Sequence, residues 1–141
     1  MKERNLDRLK EGISSMLSKE DDVSAVYIFG SMVNDYPRRA SSDIDIGVLF
    51  NKRVGLKREL DLAARLTVKL GSEVDLVNLD RIPVNLAFQV VLKGILVFEK
   101  VRMVLSDYLE RLFGEYQDFR PKFEVFLKEY NRSLEEEFLS G

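Results

Sequence analysis

An apolar run carrying two aspartates two residues apart constrains this chain more than any other feature. The run is Asp43-Ile44-Asp45-Ile46-Gly47-Val48-Leu49-Phe50, and it follows Ile28-Phe29-Gly30-Ser31 after a spacer of eleven residues. In a strand, residues two apart share a face, with alpha carbons roughly 6.5–7 Å apart. Asp43 and Asp45 therefore project to one side, while Ile44, Ile46 and Val48 fill a core on the other. Aspartate is depleted in strands, and two carboxylates side by side repel each other. A cation between them removes that penalty. Magnesium suits the position, because it takes oxygen ligands and binds through one or two carboxylates plus substrate phosphates.

The neighbouring segments supply the rest of such a site. Glycine at Gly30 permits close backbone approach, and a short helix starting at Ser31 would aim free N–H groups and a hydroxyl at phosphate oxygens. Arg38 and Arg39 stand in the loop just before the acids, candidates to reach a triphosphate or an acidic partner. Asp75 interrupts a third apolar run between Val74 and Leu76-Val77. If its strand neighbours that of Asp43 and Asp45, three acids converge on one cleft and can hold two magnesium ions. One ion would lower the pKa of an attacking hydroxyl while the other steadies the leaving phosphate. Asp75 is then the candidate base, or the ligand that helps metal ionise the acceptor. A lone Gly-Ser is common at turns, a lone Asp-x-Asp is most often solvated, and Arg38-Arg39 alone reads as a solvated pair. The order of the pieces gives the set its weight, and it points to nucleotidyl transfer.

Composition narrows the chemistry. The chain of 141 residues has neither His nor Cys, so catalysis falls to carboxylates, hydroxyls, lysines, arginines and bound metal. A net charge of −2 argues against a protein whose main task is gripping nucleic acid by its phosphates. Met1 to Lys10 is too charged for a signal peptide, and no apolar stretch approaches the ~20 residues of a membrane span. The expectation is a cytoplasmic protein with no direct nucleic-acid or membrane partner.

Along the chain, Leu6, Leu9, Ile13 and Met16 or Leu17 recur at helical spacing before a strand over Val23 to Phe29. Asn34 to Ser42 reads as turn and loop, and Asp43 to Phe50 as the second strand. Leu56, Leu60, Ala63, Ala64, Thr67 and Leu70 mark a helix closed by Gly71. A third strand over Glu73 to Leu79, a helix opened by Pro83 and ended by Gly94, and a short strand over Ile95 to Phe98 follow. Two helical stripes then flank Arg120-Pro121: Val101, Val104, Leu105, Tyr108, Leu112 and Phe119, then Phe123, Phe126, Leu127, Tyr130, Leu134 and Phe138. The expected fold class is α/β with a C-terminal helical pair: a core over residues 1–100 and a helical tail over residues 101–141 packed on it.

On these residues the sequence resembles the minimal nucleotidyltransferases of the DNA polymerase β superfamily, whose signature is Gly-Ser, about ten residues, Asp-x-Asp, and a later Asp. Gly30, Ser31, Asp43, Asp45 and Asp75 match it one by one, and the likeness runs on through Val74 to Leu79, Gly94 to Glu99, and Tyr116 to Pro121. The closing Asp118-Phe119-Arg120-Pro121 is similar to the MNT antitoxins, encoded beside a HEPN-domain ribonuclease toxin. The resemblance implies a polymerase β-like mixed sheet flanked by helices. It also implies Mg-dependent transfer of AMP from ATP to a toxin tyrosine, which silences the toxin. Asp43 and Asp45 would bind magnesium, Asp75 would assist deprotonation, and Gly30-Ser31 would hold the triphosphate. The chain departs from the pattern in its eleven-residue spacer and in Asn34-Asp35, where a glycine often follows the serine by four residues.

The tail suggests a partner. Eight of the fourteen aromatic residues lie in residues 101–141, a stretch with nine acids against six bases. Most of these rings are expected to pack the helices onto the sheet, while part of the acidic, aromatic face docks on a basic partner such as a toxin that holds RNA. A homodimer stays open. Two other functions compete with the enzyme: a non-catalytic antitoxin acting by binding alone, and nucleotidylation of a small-molecule hydroxyl, for which 141 residues leave little room.

Overall fold

The computed structural model describes residues 2–30 and 44–115, together with Val125, Lys128, Glu129 and Arg132 in helical conformation. Strands β1 (Val23–Phe29), β2 (Ile44–Phe50), β3 (Val74–Asn78) and β4 (Ile95–Glu99) form one sheet in the order β3-β2-β1-β4. β1 runs antiparallel to both β2 and β4, whereas β2 and β3 are parallel. The parallel pair needs a crossover, and α2 (Leu56–Leu70) supplies it. α1 (Lys2–Leu17) precedes the sheet, α3 (Val84–Lys93) joins β3 to β4, and α4 (Arg102–Gly114) follows β4.

Strand alternation splits the interior in two. Val26 and Ile28 of β1, Ile44, Ile46 and Val48 of β2, and Val74 and Leu76 of β3 pack with Ile13 and Leu17 of α1 and Leu62 and Leu66 of α2. The opposite face gathers Ala25, Tyr27 and Leu49 with Phe88 and Val91 of α3 and Leu105, Leu109 and Leu112 of α4. Gly47 lets α3 approach this face closely, since an added Cβ would lie 3.0 Å from a Leu79 methyl and 3.1 Å from one of Val90. Phe88 meets Phe113 edge-on at 5.2 Å, and the Tyr108 hydroxyl donates to the Leu79 carbonyl at 3.1 Å. The first helix of the expected tail thus lies on the sheet. Phe119, Pro121 and the helical stripe from Phe123 to Phe138 lie outside the described residues.

The element boundaries expected from sequence hold within a residue or two, and Gly71 closes α2 in the left-handed region at φ 70°. The face of α2 differs from its sequence stripe. Leu56 and Leu60 are mostly exposed, and the buried positions are Glu59, Leu62 and Leu66. An i+4 row drifts around a helix, so 56, 60, 64 and 68 form a ridge that winds outward rather than a core-facing stripe. Glu59 turns inward because its carboxylate accepts from Arg81 at 2.7 Å and from Asn78 at 3.3 Å.

Candidate active site

One end of the sheet carries the acids. There β1 finishes at Phe29-Gly30 while β2 and β3 begin. The Ile44 N–H donates to the Glu73 carbonyl at 3.1 Å, fastening the start of β2 to the approach of β3. The Val74 N–H donates to the Thr67 hydroxyl at 3.0 Å, tying β3 to the last turn of α2. With both strands pinned, Asp45 and Asp75 become register partners in the parallel ladder. In-register residues on adjacent strands project to the same face, with strands about 4.8 Å apart. Asp75 is exposed and Asp45 is intermediate, on the face away from Ile44 and Ile46.

Gly30 completes this corner. It adopts φ +81°, a backbone state that residues with a Cβ rarely take. A Cβ there would also lie 2.5 Å from the Asp45 Oδ2 atom. The glycine therefore serves twice: it turns the chain at the end of β1, and its bare backbone leaves room for the Asp45 carboxylate. Two carboxylates held side by side on one sheet face repel in water, and an all-oxygen donor set of this kind fits a hard divalent cation. Among the described residues no cluster of three or more potential ligands forms. Of the sequence-derived site residues the structure thus brings together Gly30, Asp45 and Asp75. Ser31, Arg38, Arg39 and Asp43 lie outside the described residues.

The opposite end of the sheet is built on ion pairs. Arg58 of α2 donates from Nε and Nη2 to the two Asp22 oxygens at 2.9 and 2.8 Å, and from Nη2 to Glu20 at 2.8 Å. Arg65 reaches Glu20 at 3.3 Å. The Arg58 guanidinium holds the carboxyls of Glu20 and Asp22 below the usual carboxylate range, and those carboxylates raise Arg58 in turn. The Lys100 ammonium donates to the Glu20 carbonyl, so the turn before β1 is clasped from both α2 and β4. Sequence reading missed this clasp, whose partners lie 36 to 80 residues apart with no motif to announce them. Burial pushes the Tyr108 phenol well above its ordinary range, keeping it a neutral donor to Leu79.

The family follows from comparison. The model described as "Polymerase beta, Nucleotidyltransferase" matches residues 11–102, well over half of the chain. The chain belongs to the polymerase beta nucleotidyltransferase family. The match spans Gly30, both strands that bear the acids, and β4. Among curated proteins nothing matches. A solved toxin–antitoxin structure with AMP-PNP is similar to this nucleotidyltransferase at 25% identity, covering 86% of this chain and 97% of that one, with a TM-score of 0.64. The MNT antitoxin complexed with a tri-AMPylated Shewanella oneidensis HEPN toxin shares the fold at 23% identity over 92% and 98% of the two chains, TM-score 0.60. A minimal nucleotidyltransferase matches at 27% identity over 65% of this chain and 92% of that one, TM-score 0.53. Among the described residues, no helix is long and apolar enough to cross a membrane.

Proposed function

We propose that this nucleotidyltransferase moves AMP from ATP to a tyrosine hydroxyl of a partner HEPN toxin, and so acts as that toxin's antitoxin in the cytoplasm. The observation that carries the reading is the in-register pair Asp45 and Asp75 beside the bare backbone of Gly30. Support for the partner comes from the toxin–antitoxin complexes among the similar structures.

In this reading the acceptor oxygen attacks the α-phosphorus of ATP, the bond from that phosphorus to the bridging oxygen breaks, and pyrophosphate leaves. Asp75, exposed at the mouth of the site, takes the acceptor proton. Gly30 and Ser31 line the backbone approach for the triphosphate, with Arg38 and Arg39 as its cationic contacts. Asp43 and Asp45, joined by Asp75, are the residues that would hold magnesium, which when bound neutralises the triphosphate and acidifies the acceptor hydroxyl. Residues 1–100 form the catalytic core, and the acidic, aromatic tail over residues 101–141 docks the toxin.

Asp35, a carboxylate where the pattern that the sequence resembles often has glycine, favours a second reading in which the chain neutralises its toxin by binding alone. Co-expression separates the two. The wild-type chain should restore growth and leave AMP on the recovered toxin, whereas the Asp43→Ala, Asp45→Ala chain should do neither while still co-purifying. Growth restored by that variant would overturn the enzymatic reading and leave a binding module.

A further inference from the structure

A groove of about 1130 Å³ opens at the end of the sheet away from the acids, beyond the last residues of β2 and β3. Its lining holds four cations, Lys52, Arg53, Arg81 and Arg111, against two carboxylates, Asp80 and Asp107, on a chain whose net charge is −2. Two of the cations are held in place. Arg81 donates to the buried Glu59 carboxylate at 2.7 Å and keeps half of its side chain exposed. Arg111 lies 5.8 Å from the centre of the Tyr108 ring and 3.8 Å from Asp80, with most of its guanidinium in solvent. Lys52 and Arg53 are exposed on the β2–α2 connection and form no ion pair among the described residues. Planar guanidinium forks match phosphate oxygens in pairs, and a lysine adds a mobile point charge. Leu56 and Val104 give the groove an apolar wall. The run of β2 from Asp45 to Phe50 puts the groove about 17 Å from the acid pair, too far for one phosphate chain to serve both ends.

We propose that this groove is a second ligand site that binds a diphosphate-bearing small molecule. Free pyrophosphate and a nucleoside diphosphate share the chemistry that Arg81, Arg111, Lys52 and Arg53 would recognise. The groove is larger than pyrophosphate needs and somewhat exceeds the usual small-ligand pocket of about 300–1,000 Å³, so the nucleotide fills it better.

The test is titration of the full chain, in EDTA, with sodium pyrophosphate and separately with ADP, followed by amide NMR shifts. Saturable shifts are expected at Arg53, Gly55 and Leu56, unchanged in Asp45→Asn and weakened at least about tenfold in Lys52→Ala, Arg53→Ala. Both substituted side chains are exposed and form no ion pair among the described residues, and an otherwise superimposable spectrum establishes that the variant is folded. Tighter binding of ADP than of pyrophosphate supports the site and assigns the nucleotide; equal binding supports it and assigns the diphosphate alone. The proposal is overturned by absence of saturation up to about 10 mM, by shifts confined to Gly30, Asp45 and Asp75, or by a double variant that binds as well as wild type. Response to an oligoribonucleotide but to neither small molecule would also overturn it.

Discussion

The two ends of the sheet solve opposite electrostatic problems. At one end Asp45 and Asp75 sit in register as like charges on one face, with a glycine pressed against the first of them. At the other, every acid in the turn before β1 that is buried has an arginine on it: Arg58 spans Asp22 and Glu20, and Arg65 reinforces Glu20. Acids matched by arginines stabilise a fold, whereas two acids brought into register on one face suit an incoming divalent cation. The contrast separates folding from function along one short strand.

The largest expected effect tests the acid end. Asp45→Asn keeps the shape but removes a negative charge, and should lower the rate of AMP transfer about a thousandfold, roughly 4 kcal/mol of barrier. A thermally stable variant that keeps its rate would break the comparison at its first term. Gly30→Ala should cost about 1–3 kcal/mol in urea denaturation and most of the transfer activity, because the new methyl meets both a left-handed backbone and the Asp45 carboxylate.

The clasp end should answer differently. Arg58→Ala is expected to destabilise the fold by about 1–3 kcal/mol, since it strips charged hydrogen bonds from the buried Asp22, while the transfer rate per folded molecule stays level. Its pH signature has a definite sign. Arg58 lowers the carboxyls of Glu20 and Asp22 in the folded state, so the stability they contribute is present above the unfolded carboxylate range near pH 4 and is lost as pH falls through their folded values. Wild type should therefore lose stability steeply below about pH 4 and Arg58→Ala less so, as read from urea midpoints across that window. The smallest effect belongs to the packing of α4 on the sheet: Tyr108→Phe removes one buried hydrogen bond to Leu79 and should cost about 1 kcal/mol, with no effect on transfer.

Much of this was written locally in the chain. The acids stood out because Asp45 and Asp75 interrupt β-branched runs, and the helix ends because Gly71, Pro83 and Gly94 punctuate them. What the sequence withheld depends on partners far along the chain. The register that sets Asp45 beside Asp75 is a property of two strands and the crossover between them, not of either run. The inward face of α2 turned on Glu59 finding Asn78 and Arg81, nineteen and twenty-two residues away, so the outward ridge of Leu56 and Leu60 looked like a core stripe. The basic groove gathers residues from 52 to 111, each unremarkable in its own neighbourhood.

The most direct measurement of the central claim is the intact mass of the partner toxin after incubation with Mg-ATP and this protein, beside Asp45→Asn and Arg58→Ala. The account predicts mass steps of whole AMP units with wild type and with folded Arg58→Ala, and none with Asp45→Asn. AMP steps that persist in Asp45→Asn, or a toxin that binds wild type tightly yet gains no mass, would contradict it.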